Sequence, residues 1–446
     1  MSYVPHSEAD RQEMLRAVGA SSEEDLFTDI PEKLRLTQPL DLPPALSEWE
    51  AVKALQKLAS ESEQLLCFAG AGYYDHYVPA VVDHLIRRSE LYTAYTPYQA
   101  EVSQGTLQSI YEFQSMICEL MGLDVANASM YDGASAMAEA AMMANSIQRK
   151  RSKVVLSITA NPHYRQVLDT YNLGLQIPVE IAPRSSNGVT DLDALKGMVD
   201  DDTAAVIVQS PNFYGIIEDV SAAAAVAHDV GALLITVVDP VSLAILKSPG
   251  ECGADIAVAE GQPFGIPLSY GGPVLGLFAA RQDYIRNMPG RIVGATDDVD
   301  GRRGFVLTLQ TREQHIRREK ATSNICTNQG LMALAATIYL STVGREGLRQ
   351  VADTSAQIAH YAYDRIVSET SLEPMFPDSP FFREFALKTP RPAREIIGMG
   401  AERGVLAGVA LTRFPHIDVE DGLLLAFTEK RSQADVELLL EVLKEA

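Results

Sequence analysis

Apolar residues recur along this 446-residue chain in two patterns, which change near residue 150. In residues 103–121 they step by three and four, which predicts an amphipathic helix. From residue 153 onward, short runs are apolar throughout, at 153–158, 204–210, 232–239, 256–260 and 274–280. Helical patterns, such as 190–200 and 219–230, separate several of these runs. The alternation predicts an α/β fold with a mostly parallel sheet covered on both faces, with ligands outside the carboxyl ends of its strands.

The two ends of the chain have different patterns. Residues 1–65 are acidic and interrupted by prolines, and we interpret them as an N-terminal helical arm. Residues 66–327 form the predicted large α/β domain. Residues 328–446 begin with a long helix, bent near Gly344, and continue into a small C-terminal α+β domain. Its last helix has a capping-box signature at Ser432 and Asp435.

The composition of the chain disfavours several classes of function. The chain has 37 basic and 59 acidic residues, a net charge of −22. Nucleic-acid and anionic-membrane binding are therefore disfavoured, because both need surplus Lys and Arg. Its four cysteines form no C-x-x-C pair, and its histidines form no ligand pair, so we expect neither a disulfide framework nor a metal site. The start of the chain lacks the features of a secretory or transit peptide, and no apolar run is long enough to span a bilayer. We expect a cytoplasmic protein.

Three groups of polar residues fall where a cofactor could bind. Asp132, Gly133 and Ser135 precede a helix rich in Ala and Met, which suits a phosphate but equally suits an ordinary N-cap. Asn212 and Asp239 each follow a buried strand. A carboxylate in the position of Asp239 can pair with the pyridinium nitrogen of pyridoxal phosphate, or it can simply begin a turn.

A pyridoxal phosphate enzyme needs a lysine to hold the cofactor covalently. In the common fold this lysine follows the aspartate by a few tens of residues. Here Lys247 comes too early and Lys320 too late, with no lysine between them. The sequence therefore predicts that the chain does not hold this cofactor covalently.

Two surface features have open alternatives. Tyr95, Thr96, Tyr98 and Gln104 belong to a tyrosine-rich segment that suits either a small polar ligand or a subunit interface. Residues 281–320 are basic within an acidic chain, and their arginines could dock a partner or form a solvated face. The arginines proposed for docking are Arg302, Arg303, Arg317 and Arg318.

Three segments together carry a family resemblance. Residues 95–105 (YTPYQAEVSQG), 127–133 (NASMYDG) and 317–327 (RREKATSNICT) resemble the P-protein of the glycine cleavage system, the pyridoxal-phosphate-dependent glycine dehydrogenase (decarboxylating). The resemblance covers the whole chain and is to the N-terminal half of the long P-protein, which many bacteria make separately as subunit 1, or α. It implies fold type I of the pyridoxal phosphate enzymes, the aspartate-aminotransferase-like fold.

The resemblance also implies that the two subunits have different roles in binding the cofactor. Subunit 2, or β, carries the lysine, and aligning the loop that follows residue 260 places Gln262 at that position. Pyridoxal phosphate would then be bound covalently by the partner alone. Asp132, Gly133, Ser135, Asn212, Asp239 and Gln262 would be vestigial in this chain, which has no catalytic residue of its own. Tyr95, Thr96, Tyr98 and Gln104 would complete the partner's active site.

The implied reaction is decarboxylation of glycine with transfer of the aminomethyl group to the lipoyl disulfide of H-protein, with the T- and L-proteins as indirect partners. Two alternatives stay open. The chain could be a structural or regulatory subunit that contributes no active-site residue. It could also be a self-contained pyridoxal phosphate enzyme that uses Lys247 or Lys320.

Overall fold

The computed structural model describes residues 5–36, 38–91, 97–321 and 323–446. It divides into two compact units, residues 1–63 and residues 64–446. The predicted boundaries at residues 65 and 327 stay predictions. In the described part, no helix is long and apolar enough to cross a membrane.

The first unit consists of short helices joined by irregular chain. Its α-helices are α1 (Glu8–Val18) and α2 (Glu48–Ser60), with 3-10 turns at Glu23–Phe27 and Glu32–Leu34. Capping boxes start both α-helices: Ser7 accepts from the amide of Asp10, and Ser47 from that of Glu50. Among the described residues of this unit, only Leu15 is a buried apolar side chain, so the unit has no core of its own.

The second unit contains the remaining elements. Its strands are β1 (Leu66–Cys67), β2 (Val125–Ala126), β3 (Lys153–Ser157), β4 (Val179–Ala182), β5 (Thr203–Ser210), β6 (Leu233–Val238), β7 (Ile256–Glu260), β8 (Gly276–Ala280), β9 (Ile292–Asp297), β10 (Arg303–Thr308), β11 (Glu373–Pro374), β12 (Glu384–Lys388), β13 (Val405–Leu406), β14 (Val409–Ala410) and β15 (Leu423–Ala426). Its helices are α3 (Ala80–Ile86), α4 (Gln104–Met121), α5 (Gly133–Ile147), α6 (Pro162–Asn172), α7 (Leu192–Met198), α8 (Val220–Asp229), α9 (Gln314–Arg317), α10 (Gly330–Glu369), α11 (Ala393–Ala401) and α12 (Gln433–Leu443).

The main sheet has seven strands in the order β2-β8-β7-β6-β5-β3-β4. Strands β3 to β7 run parallel to one another, and β8 runs antiparallel to both of its neighbours. The prediction of an α/β fold with a mostly parallel sheet is therefore confirmed.

Strands β5, β6 and β7 are mostly apolar because helices cover both of their faces. Successive side chains of a strand point to opposite faces. In β6, Ile235 packs in the cluster that includes Met137 of α5, whereas Leu234 packs in the cluster that includes Ala224 of α8. The strand ends consequently lie at the edge of a core that is packed on both faces of the sheet.

The C-terminal part contains a four-stranded sheet in the order β11-β12-β15-β14. Leu439 of α12 packs in one cluster with Leu425 of this sheet, and Ser432 and Asp435 form the predicted capping box. Helix α10 is broken at Gly344, whose φ of 59° and ψ of −174° are non-helical. These angles confirm the bend that was predicted near this glycine. Glycine suits the position because it adopts a positive φ at little cost.

Candidate functional site

A small cavity lies at the carboxyl edge of the main sheet, where the sequence predicts the site. The loops after β3, β5, β6 and β7 contribute to it, together with residues near Tyr74 and the start of β12. Its volume is about 30 Å³, against the roughly 10–15 Å³ that a cavity needs to hold one water molecule. Its polar lining side chains are Tyr74, Asn161, Tyr164, Gln209, Asn212, Asp239, Glu260, Arg383 and Glu384.

Asp239 directly follows β6 and forms an ion pair with Arg383. The distance from Oδ2 of Asp239 to Nη2 of Arg383 is 2.6 Å, and the arginine side chain is 1% exposed. The ring of Tyr74 lies against the guanidinium, with its centroid 3.9 Å from Cζ. The carboxylate predicted to face a pyridinium nitrogen is thus committed to a guanidinium of the same chain.

A second network holds Arg383 from the other side. One Nη of Arg383 contacts Nε2 of His76, and Nδ1 of His76 lies 2.7 Å from Oε2 of Glu429. Burial and the adjacent Arg383 lower the pKa of His76. A neutral imidazole that donates from Nδ1 to Glu429 and accepts at Nε2 satisfies both contacts. Nε of Arg383 is buried without a hydrogen-bond partner in the described chain.

Glu260, the last residue of β7, fills the N-terminus of α5. Its carboxylate accepts from the amides of Gly133 (2.9 Å), Gln262 (2.9 Å) and Leu275 (3.1 Å). Burial raises the pKa of Glu260 to about 8, against the lowering effect of these three donors. Its backbone approaches so closely that a Cβ on Gly133 would lie 2.8 Å from the nitrogen of Glu260.

Asp132 and Ser135 act as helix-capping residues. Oδ1 of Asp132 accepts from the amide of Ser135 at 2.6 Å, and Oγ of Ser135 accepts from the amide of Asp132 at 3.2 Å. The structure therefore supports the N-cap interpretation of these two residues. A carboxylate of the chain itself, from Glu260, lies where the phosphate was expected.

Gln262 is 1% exposed, and both polar atoms of its side-chain amide form a hydrogen bond inside the chain. Oε1 accepts from the amide of Tyr74 at 3.1 Å, and Nε2 donates to the carbonyl of Ile266 at 2.8 Å. Within the described ranges, no lysine lines the cavity. Lys247 and Lys320, the two lysines considered for covalent attachment, are both exposed on the surface.

Asn212 and Glu384 connect loops at the cavity edge. Nδ2 of Asn212 donates to Glu218 at 2.8 Å, and its Oδ1 accepts from the amide of Tyr214 at 3.0 Å. Glu384 accepts from the amide of Ala71 at 2.7 Å and from the hydroxyl of Tyr74 at 2.8 Å. Burial raises the pKa of Glu384 to about 7. These bonds rigidify the rim of the cavity.

These features test whether pyridoxal phosphate fits this cavity. The cofactor requires a lysine, a carboxylate free to face its ring nitrogen, and a helix N-terminus free to receive its phosphate. Here Gln262, Arg383 and Glu260 fill those three positions, and about 30 Å³ of space remains. The residues present do not fit the group.

Of the predicted active-site residues on the tyrosine-rich segment, Tyr98 and Gln104 do not line this cavity. Tyr95 and Thr96 fall outside the described residues. The hydroxyl of Tyr98 bonds to Oδ1 of Asn328, and its ring lies 4.1 Å from Cζ of Arg291. Gln104 forms two hydrogen bonds with the backbone of Phe305, at 2.8 and 2.9 Å. Gln104 thus ties α4 to the hairpin of β9 and β10, a structural role that the sequence did not indicate.

The four arginines proposed for docking are exposed. Arg302 lies 3.6 Å from Asp300 in a solvent-exposed pair. The guanidinium of Arg303 lies 5.2 Å from the ring of Phe305, and Nε of Arg317 donates to the carbonyl of Thr311 at 3.0 Å. Arg318 has a left-handed φ of 53°.

Four important side chains of the cavity were not singled out from the sequence: Tyr74, Glu260, Arg383 and Glu384. Tyr74 lies in residues 70–77, a tyrosine-rich stretch that suits a small polar ligand or an interface, and Glu260 begins the loop that was aligned with the lysine loop of subunit 2. Arg383 and Glu384 interrupt the apolar run of residues 381–388. Two adjacent charges in a strand with an otherwise apolar run could have indicated a buried polar site. Among the described residues, no group of three or more His, Cys, Asp or Glu could hold a metal ion.

The fold is that of the type I pyridoxal phosphate enzymes. The structure superposes on a sphingosine-1-phosphate lyase of Burkholderia pseudomallei with a TM-score of 0.68 over 93% of this chain and 94% of that one. At 16% identity this likeness shows the fold alone. A crystal structure of inhibitor-bound glycine decarboxylase (P-protein) of the glycine cleavage system matches much more closely. Its TM-score is 0.91 at 45% identity, over 100% of both chains.

Sequence comparison defines the family. The family model described as glycine cleavage system P-protein matches residues 1–443. Proteins called probable glycine dehydrogenase (decarboxylating) subunit 1 are similar over nearly their whole length. One from Carboxydothermus hydrogenoformans is 54% identical over 99% of both chains, and one from Moorella thermoacetica is 51% identical over 100% of this chain and 99% of that one. The chain belongs to the glycine cleavage system P-protein family, as its sequence segments predicted.

Proposed function

We propose that this chain is subunit 1 of a two-subunit glycine dehydrogenase (decarboxylating), and that it works in complex with a second subunit that binds pyridoxal phosphate covalently. The full-length similarity to proteins called subunit 1 supports the role in the complex. One observation supports the proposal that subunit 2, and not this chain, binds the cofactor covalently. In the cavity of this chain, Arg383 pairs with Asp239, and no described lysine lines it. Such a cavity offers neither a lysine for covalent attachment nor a free carboxylate for the ring nitrogen of the cofactor.

In the proposed complex, pyridoxal phosphate would act as the electron sink when glycine loses carbon dioxide. The aminomethyl group would pass to the lipoyl disulfide of H-protein, which would be reduced. We propose that the tyrosine-rich segment of this chain, with Tyr95, Thr96 and Tyr98, completes the partner's active site. Gln104 would act indirectly by holding α4 on the hairpin of β9 and β10.

A purely structural subunit is the second candidate function. The observation that favours it is that Tyr98 and Gln104 both have hydrogen-bond partners within this chain. The self-contained enzyme is disfavoured, because Lys247 and Lys320 are exposed and do not line the cavity.

The deciding experiment compares this chain, subunit 2 and their co-expressed complex. Each is assayed for release of carbon dioxide from glycine in the presence of H-protein. Each is also incubated with pyridoxal phosphate, reduced with borohydride and digested for mass spectrometry. We expect turnover in the complex, and a pyridoxyl-lysine peptide that derives from subunit 2 alone. A stoichiometric pyridoxyl-lysine peptide from this chain would disprove the proposal.

A further inference from the structure

The three segments that resemble the P-protein are far apart in the sequence, yet they meet around one side chain, that of Asn328. This residue directly follows the third segment. Its Oδ1 accepts a hydrogen bond from the hydroxyl of Tyr98 in the first segment, and its Nδ2 donates to the carbonyl of Ala128 in the second at 2.8 Å. One amide side chain therefore connects all three segments.

The second and third segments are also joined directly. The amide of Cys326 donates to the hydroxyl of Tyr131 at 3.2 Å, and the amide of Gln329 donates to Oγ of Ser129 at 3.1 Å. Ser129 is fully buried and has a φ of 123°, which is uncommon for a residue other than glycine. Such backbone strain persists only where the surrounding contacts impose it, and it is concentrated at functional sites.

Tyr98 is held both at its hydroxyl and on the face of its ring. Burial raises the pKa of Tyr98, so its hydroxyl stays protonated and donates to Asn328. Cζ of Arg291 lies 4.1 Å from the centroid of the ring. Nε of Arg291 lies 3.4 Å from Oε2 of Glu313 in a largely buried ion pair, which keeps the guanidinium in place.

We propose that Asn328 is a positioning residue that orients Tyr98 for the reaction of the complex. This inference rests on the proposed function, in which Tyr98 helps to complete the partner's active site. An asparagine suits this role because its amide accepts at one atom and donates at the other, so it can bond a hydroxyl and a backbone carbonyl at once. Placement matters because a displacement of about 1 Å can cost about 100-fold in rate.

Steady-state kinetics of the reconstituted complex tests the proposal. Asn328→Ala should lower kcat at least fivefold and leave the KM for H-protein unchanged, because it frees the hydroxyl of Tyr98 without changing a surface charge. Combining it with Tyr98→Phe should lower kcat no further than the more damaging single variant, since both remove the same hydrogen bond. A wild-type kcat for Asn328→Ala, or losses that multiply in the double variant, would overturn the proposal.

Asn172→Ala is the matched control. Asn172 is also half-buried, and its side chain forms two hydrogen bonds with the backbone of Ile177, at 2.6 and 2.7 Å, outside the three segments. We expect this variant to lower the melting temperature about as much as Asn328→Ala and to keep the wild-type kcat. An equal fall in kcat for both variants would attribute the effect to lost stability and would refute the proposal.

A second variant covers the case in which Asn328→Ala fails to assemble. Asn328→Gln keeps both polar atoms but moves them by one methylene group. We expect it to assemble by size exclusion and to lower kcat at least fivefold. An unchanged kcat would overturn the proposal, and loss of assembly by both variants would do the same by showing that Asn328 is a structural residue.

The remaining outcomes separate this inference from the proposed function. If the wild-type complex does not release carbon dioxide from glycine, the proposed function fails. If Tyr98→Phe turns over glycine like the wild type, the proposed role of the tyrosine-rich segment fails, and this inference fails with it. If Tyr98→Phe lowers kcat and Asn328→Ala does not, only the present inference fails.

Discussion

Arg383 lies 2.6 Å from Asp239, and this ion pair fills the place where the fold would present a free carboxylate. The two residues are 144 positions apart in the sequence. Asp239 follows a central strand of the large sheet, and Arg383 directly precedes β12 of the C-terminal sheet. The pair therefore joins the two sheets at the cavity.

Replacing only one residue of this ion pair should destabilise the fold. Arg383→Met leaves the largely buried carboxylate of Asp239, 11% exposed, without its counter-charge, so we expect the free energy of unfolding to fall by about 3–5 kcal/mol. Adding Asp239→Asn removes that charge and should recover part of the loss. Chemical denaturation of the three proteins measures both effects. The control is Arg302→Met, whose exposed pair with Asp300 should contribute less than about 1 kcal/mol.

If Arg383→Met and the double variant lose the same stability, the arginine stabilises through packing rather than charge. Tyr74, which lies against the guanidinium, would then be its main partner.

Glu139 gives a prediction for pH dependence. It is 5% exposed on α5, and burial raises its pKa to about 7 from an ordinary 4.5, while a hydrogen bond with Ser323 lowers it. The native chain therefore keeps a proton that the unfolded chain loses. Between about pH 4.5 and 7 the native state binds more protons, so this residue makes the free energy of unfolding fall as pH rises.

Glu139→Gln should remove this contribution, which amounts to about 3 kcal/mol across the window. Denaturation curves of the isolated chain at several pH values between 5 and 8 measure it. The exposed Glu441 offers a control, because Glu441→Gln changes the same charge without a buried environment. A pH profile of Glu139→Gln that parallels the wild type would show that Glu139 ionises normally in the native chain.

Tyr98 tests whether the tyrosine-rich segment does more than pack. Tyr98→Phe removes the hydroxyl that bonds to Asn328 but keeps the ring against Arg291. We expect complex turnover to fall at least fivefold with unchanged assembly by size exclusion, and the same for Tyr95→Phe. If both variants turn over glycine like the wild type, the segment is interface packing alone.

The basic stretch should guide H-protein to the complex. Arg302→Glu with Arg303→Glu should raise the apparent KM for H-protein several-fold and flatten its salt dependence, because exposed charges act mainly on encounter. Steady-state kinetics at several ionic strengths measures this. The competing explanation is that these arginines pair with Asp297, Asp298 and Asp300 of the same chain and only stabilise the loop that contains them.

The structure shows part of that competing arrangement. Oδ1 of Asp298 accepts from the backbone amide of Arg302, and the side chain of Arg302 pairs with Asp300. If the loop interpretation is correct, the double variant melts at a lower temperature and keeps the wild-type dependence on H-protein and salt.

The sequence by itself determined the elements whose signals are local. Apolar runs predicted β5, β6 and β7, the periodicity of residues 103–121 predicted α4, and the capping box predicted the start of α12. It also determined that no lysine lies between residues 247 and 320, because the positions of lysines can be read directly from the sequence. It missed α6 and β4, because α6 buries only three residues and β4 is a four-residue edge strand with alternating burial. Such elements are held by tertiary packing more than by propensity.

Only the tertiary structure decided what the cavity contains. Nothing local in the sequence indicates that Arg383 reaches Asp239, or that the carboxylate of Glu260 caps α5 across 127 positions. Long-range pairs of this kind form because a buried charge must find a partner, and which partner lies within reach depends on how the two sheets pack. The sequence could therefore say that the covalent lysine is missing, and the fold alone could show that the space for the cofactor is filled.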